Sequence, residues 1–184
     1  MDSISNNNLK DVRTYLVGAM DRVKDGGTTW RQRIAPHLQR MGVQVLDPCK
    51  KIINTFSEED ARHWIEYYKE TGQFYKIRSE FGVIRSADLR CVDISDFIVA
   101  HIDLDTHACG TYEEITTANR QKKPVLVWCE QGKHKAPNWI FFMLPHEHIF
   151  SSMEEVVEYL DMIDKLEDTT KLQRWFFFSN LYNR

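Results

Sequence analysis

At 184 residues and 21.8 kDa, the chain is long enough for one domain of ordinary size with a short extension, and too short for two full domains. Hydrophobic residues make up 42% and charged ones 28%, with 24 basic against 27 acidic side chains and a net charge of −3, a mixture that excludes a disordered chain and a polybasic nucleic-acid binder. No apolar run approaches the roughly 18 residues of a membrane span, and the opening MDSISNNNLK lacks the apolar core of a signal peptide, so a soluble, cytoplasmic protein without membrane contact is expected.

In chain order, the first eight residues are polar and expected to pack poorly. Thr14 to Ala19 reads as a short buried strand ending near a glycine. Thr28 or Thr29 is placed to cap a helix carrying Trp30, Ile34, Leu38 and Met41 at three- and four-residue spacing, and Gly42 ends it. Val43 to Leu46 forms a second strand, stopped by Asp47-Pro48. Ser57 to Asp60 opens a helix bearing Trp64, Tyr67 and Tyr68, closed by Gly72, and a further helix is expected from about Ser79 to Ile94. Phe97 to Ile102 is a strongly apolar strand, Asp103 to Gly110 a loop, Thr111 to Gln121 a helix, and Pro124 to Cys129 another strand. After a polar loop and the apolar Trp139 to Leu144 segment, Ser151 or Ser152 starts a helix with Met153, Val156, Val157 and Leu160 on its face. Leu172 to Leu181 reads as a last helix.

Short buried strands alternating with amphipathic helices predict an α/β flavodoxin-like or Rossmann-like three-layer fold, with a central parallel sheet of about five strands and the first strand in the middle. One domain is expected over residues 1–184, with its core in 13–145 and a helical extension in 151–184. Ligands of such sheets bind beyond the carboxyl ends of the strands, which selects the loops at Gly18, Asp47, Asp103 to Gly110, and Glu130 to Asn138. These loops carry several carboxylates but neither a GxGxxG nor a Walker lysine motif, so a dinucleotide or triphosphate cradle lacks its signature.

Gly110-Thr111-Tyr112-Glu113-Glu114-Ile115 has two readings. In one, Thr111 caps the helix and Glu114, three residues on, bonds back in a capping box. In the other, Glu114 sits in the first helical turn at the mouth of the sheet, with its carboxylate directed at a ligand. Elsewhere the alternatives are structural. His146-Glu147-His148 would point its imidazoles apart on a strand and has no third ligand, so no metal is expected. Lys122-Lys123 and Lys133-His134-Lys135 read as solvated loop charges. The Trp175-Phe176-Phe177-Phe178 run either packs on the domain or meets another subunit.

Tyr15 to Met20, the helix at Trp30, and Gly42-Val43-Gln44-Val45-Leu46-Asp47-Pro48 resemble the opening of the nucleoside 2-deoxyribosyltransferase-like family. Asp88 followed eight residues later by Asp96, the strand Phe97 to Ile102, Gly110 to Ile115, Ala118 and Lys123-Pro124-Val125 resemble its central signature, over roughly residues 13 to 140. The resemblance implies cleavage or transfer of the N-glycosidic bond of 2′-deoxynucleosides or their monophosphates through a covalent glycosyl-enzyme intermediate, with no cofactor. It makes Glu114 the nucleophile, with Glu113 as the alternative one residue away. Asp88 then assists proton transfer at the departing base, and Tyr15 orients the nucleophile. Gly110 belongs to the glycine-containing turn ahead of the nucleophile. Asn138 resembles an asparagine given to a neighbouring subunit's pocket, so a homodimer or higher homo-oligomer is expected, with Trp139 to Phe142 as apolar surface for it.

The pattern departs from the family at Ala108, where transferases carry an aspartate and monophosphate hydrolases a serine; Asp105 or His107 is the candidate replacement. The segment from Cys49 to Gly82 lies outside the family's shortest form. Tyr15, Trp30, Tyr112 and Trp139 are candidates for an aromatic lid that would shield an intermediate from water. A fold does not fix a function, so the rival reading is a non-catalytic nucleotide-binding or signalling module.

Overall fold

The computed structural model describes residues 6–50 and 58–178. Five parallel strands, β1 (Arg13–Gly18), β2 (Gln44–Leu46), β3 (Phe97–Ile102), β4 (Val125–Cys129) and β5 (Ile149–Phe150), form one sheet in the order β2-β1-β3-β4-β5. The strand adjacent to both β2 and β3 is β1, as the sequence predicts, but β3 is the middle of the order. The helices are α1 (Thr28–Arg40), α2 (Glu58–Glu70), α3 (Phe74–Ile94), α4 (Cys109–Arg120), α5 (Asn138–Met143) and α6 (Met153–Lys165).

Side chains alternate across the sheet, so each strand feeds two cores. Leu16, Phe97, Val99, Leu126 and Trp128 join Trp30, Ile34 and Leu38 of α1 and Val156, Leu160 and Ile163 of α6. Tyr15, Val17, Ile98, Ala100, Val125 and Val127 face the opposite way, against Val92 of α3, Ile115 and Ala118 of α4, and Ile140 of α5. This parity turns Tyr15 toward α3 and α4. The α2 and α3 helices close a small core of their own around Ala61, Tyr68 and Phe81.

Several expectations need correction. Residues 1–5 lie outside the described set, but Asn6 and Asn8 are tied down: Asn8 donates to the Ile163 and Leu166 carbonyls at 2.9 and 2.8 Å, and Asn6 to Leu166 at 3.2 Å. Their side-chain amides add bonds to carbonyls at the end of α6, where Ile163 also accepts from the Leu166 amide at 3.3 Å. Neither Thr28 nor Thr29 caps α1; the Asp25 carboxylate accepts from the Gly27 and Thr29 amides at 3.0 and 2.9 Å. The expected cap at Ser57 falls outside the described residues. Helix α3 begins at Phe74, five residues early, because Gly72 at φ 70° closes α2 and the chain re-enters a helix at once. Helix α4 begins at Cys109 with Ala108 at its N-cap, so Thr111 lies inside the helix and there is no capping box.

The expected helix from Leu172 to Leu181 is, where described, a series of turns with a single 3-10 turn at Phe176–Phe178. Its aromatic residues do not form a helical stripe; Trp175, 1% exposed, packs on Phe97 and Tyr159 of its own chain. His146–His148 is a 3-10 turn rather than a strand, with His148 buried and hydrogen-bonded to the Tyr159 hydroxyl at 3.0 Å. Lys123 is not a solvated charge. Its ammonium donates to the Val92 and Asp93 carbonyls near the end of α3, where the helix dipole favours a cation.

Candidate active site

Three side chains from three elements, Tyr15 in the middle of β1, Asp88 on α3 and Glu114 on α4, meet on the α3–α4 face of the sheet. The Tyr15 hydroxyl lies 2.8 Å from Glu114 Oε1 and 3.0 Å from Asp88 Oδ1. Glu114 is in place because Ile115 and Ala118 lock the buried face of α4 against the sheet, both fully shielded from solvent. Burial pushes the Tyr15 phenol well above its ordinary value, reinforced by the charges of Glu114 and Asp88, so the group stays a neutral donor at any working pH. A phenol carries one proton and donates it to one carboxylate at a time. The cluster therefore joins two carboxyl groups through one shared hydroxyl, an arrangement suited to a nucleophile paired with an acid/base group.

Two cavities open on this cluster and share Ile65, Ile84, Asp88, Cys109, Gly110 and Glu114 as wall. The first, about 450 Å³, runs along Gly18 to Arg22 and is lined also by Arg31, Arg62, His107 and Ala108. The second, about 610 Å³, lies between α3 and α4 and is walled largely by Phe74, Ile77, Phe81 and Leu89. Cavities of this size hold small organic ligands, and apolar walls with a few convergent polar groups are their usual make-up. The helices of the Cys49 to Gly82 segment thus wall both spaces.

Of the residues singled out in sequence, Tyr15, Asp88, Glu114, Gly18 and Gly110 come together here. Glu113 faces α3, where it forms a bidentate pair with Arg85 that holds its carboxyl below the usual range. Asp47 lies outside the cavity lining; its carboxylate accepts from the Cys49 amide at 3.0 Å and closes the turn after β2. Asp105 is exposed and contacts Gln131 at 3.2 Å, so of the two candidates to replace the contact missing at Ala108 only His107 lines the cavity. Asn138 is exposed at the start of α5, away from both cavities. The expected aromatic lid does not form within the chain: Trp30 is buried between β3 and β4 side chains, Trp139 is 69% exposed, and of the four aromatics only Tyr15 lines a cavity.

Sequence reasoning missed Arg22, Arg31 and Arg62. For Arg31 a signal existed: it follows Trp30 and precedes Ile34 by three residues, a charge placed within the buried stripe of α1. Among the described residues no group of three or more His, Cys, Asp or Glu side chains is placed to hold a metal ion, and no helix is long and apolar enough to cross a membrane.

No protein-family model matches the chain, and no curated protein does so either. Among solved structures, the chain has the fold of a 2-deoxyribosyltransferase from the psychrotolerant bacterium Bacillus psychrosaccharolyticus, at a TM-score of 0.55 and 16% identity over 80% of this chain and 92% of that one. It is similar in the same way to a conserved protein from Enterococcus faecalis V583, at a TM-score of 0.53 and 14% identity over 83% and 99% of the two chains.

Proposed function

We propose that the protein is an enzyme of the nucleoside 2-deoxyribosyltransferase-like family that breaks N-glycosidic bonds of 2′-deoxynucleosides or their monophosphates. The observation that carries this reading is the Tyr15 hydroxyl bridging Glu114 and Asp88 where the two cavities meet. A bond broken at that junction joins a group in one cavity to a group in the other, which suits a sugar on the Gly18 side and a flat base against Phe81 and Leu89. The shared fold with a 2-deoxyribosyltransferase supports the same reading.

The chemistry follows from the residue types. Glu114 attacks the anomeric carbon as a carboxylate and stabilises the positive charge that develops there. The carbon–nitrogen bond breaks, and its electron pair leaves with the base, which takes the proton of the Asp88 carboxylic acid. Tyr15 donates to Glu114 in the resting enzyme, fixing the orientation of the attacking oxygen. In the second half, water or a free base attacks the anomeric carbon, its proton passes to the Asp88 carboxylate, and Glu114 is released. Two displacements retain the configuration at the sugar.

Incubation of the protein with deoxynucleosides and their monophosphates, followed by chromatography, should release free base. Ligand binding with no base release or exchange would instead favour a non-catalytic binding module. Addition of a second base separates transfer, which yields a new nucleoside, from hydrolysis, which does not.

A further inference from the structure

Arg31 is the most deeply buried charge of the chain's described basic side chains, only 1% exposed, yet it lines the first cavity. Its guanidinium donates to the carbonyls of Leu16 at 3.2 Å, Gly27 at 2.7 Å and Gly18 at 2.9 Å. Three of its five N–H donors are thereby used, all on neutral acceptors, and among the described residues no carboxylate is bonded to it. The guanidinium also lies over the Trp30 ring, 4.7 Å from its centre. A buried cation held by carbonyl dipoles and a ring face keeps its full charge to offer an anion, an attraction that desolvation strengthens. Gly27 makes the approach possible: at φ 74°, a Cβ there would come within 2.3 Å of both the Arg31 guanidinium and the Ala19 carbonyl.

Two further guanidinium groups join it. Arg62, on the inserted α2, reaches over the neighbouring Gly26, 3.4 Å from where a Cβ would stand, and donates to the Val23 carbonyl at 3.4 Å. Arg22 lines the same cavity from the loop after β1. Arg31 and Arg62 thus close on consecutive glycines from opposite elements; of the three acidic residues that line the cavity, Asp88 and Glu114 belong to the Tyr15 cluster, which leaves Asp21 beside Arg22. Guanidinium forks match the tetrahedral oxygens of a phosphate, which accepts several charge-assisted bonds at once.

Resting on the reading above, we propose that Arg31, Arg62 and Arg22 form a phosphate subsite, so that the substrate is a 2′-deoxynucleoside 5′-monophosphate rather than the free nucleoside. The phosphate sits among the arginines, the sugar passes Gly18 and Ala108, and the anomeric carbon meets Glu114. The small side chain of Ala108 is then no defect, because the anionic group supplies the anchoring.

Calorimetry on the Glu114→Gln protein tests this without turnover, using 2′-deoxyadenosine and 2′-deoxycytidine, their 5′-monophosphates, and inorganic phosphate. The monophosphates should bind at least about 100-fold more tightly than the matching nucleosides, as expected for two or more charge-assisted hydrogen bonds. Arg62→Ala and Arg22→Ala should each lower that ratio by about tenfold; both side chains reach solvent, so folding, checked by thermal melting, is expected to survive where an Arg31 variant would not. Equal affinity for nucleoside and monophosphate, or a ratio that neither variant changes, overturns the proposal. So does inorganic phosphate binding as tightly as the monophosphates, since the site would then serve a free ion. A preserved monophosphate preference without base release from the wild-type protein upholds the subsite and refutes the glycosidic reading alone.

Discussion

On the α1–α6 side of the sheet burial is largely apolar; His148 and Asp164 bond to neighbouring structure, and the buried exception is Arg31 of α1, which reaches the wall of the first cavity. On the α3–α4 side the same strands bury a phenol against two carboxylates, at the edge of open cavities. Since alternate residues of one strand supply both faces, Leu16 and Tyr15 differ in role only through parity. One face gives stability from apolar burial, and the other spends part of its burial on groups poised for chemistry. Substitutions on the two faces should therefore separate stability from turnover.

The largest stability effect is expected on the apolar face. Ile34 is fully buried between α1 and the sheet, and Ile34→Ala should cost about 2–5 kcal/mol through lost transfer energy and the cavity left behind. Denaturant unfolding measures this, while kcat of the folded variant should stay within about threefold of wild type. A folded Ile34→Ala protein without activity would show that the faces are not separable.

His148 gives the same face a pH dependence. Burial, reinforced by the Arg174 charge and opposed by Glu147, lowers its pKa to about 4. The folded state thus prefers the neutral ring, and the unfolded state takes up the proton first. Stability is full above about pH 6.5 and is lost as the pH falls from there through about 4, by at most about 3 kcal/mol. Unfolding midpoints across that window should drop in the wild type and drop less in His148→Gln; equal slopes would remove His148 as the cause.

Tyr15→Phe is the smaller and more selective change. It removes the shared hydroxyl and leaves ring packing intact, so kcat should fall about 10- to 100-fold, with the limbs of the pH–rate profile displaced because the two carboxyl groups lose their common donor. A merely structural tyrosine would lower the melting temperature and leave the pH profile in place.

The parallel sheet was legible in the sequence because Leu16, Ile98 and Val127 sit in runs too apolar and too short for anything but buried strands. Tyr15, Asp88 and Glu114 were legible through their spacing within a resemblance. The two-residue β5 was not, since Ile149-Phe150 is too short to show a period. Nor was the arginine-lined wall: Arg62 reaches Val23 across 39 positions of chain, a proximity set by how α2 packs rather than by any local pattern. The capping-box reading of Thr111 and Glu114 failed because α4 starts earlier than the local pattern suggests, with Ala108 at its N-cap, so Thr111 lies inside the helix and Glu114 turns to Tyr15.

Adjacent glutamates on α4 offer the most direct test, because Glu114 turns to Tyr15 and Glu113 to Arg85. Base release from deoxynucleoside 5′-monophosphates should be measured for Glu114→Gln and Glu113→Gln side by side. The account predicts a loss of at least about 10³-fold in kcat for Glu114→Gln, because the amide is nearly isosteric yet cannot serve as the anionic nucleophile, and a change within about threefold for Glu113→Gln. Full activity in Glu114→Gln, whether or not Glu113→Gln is impaired, would contradict it.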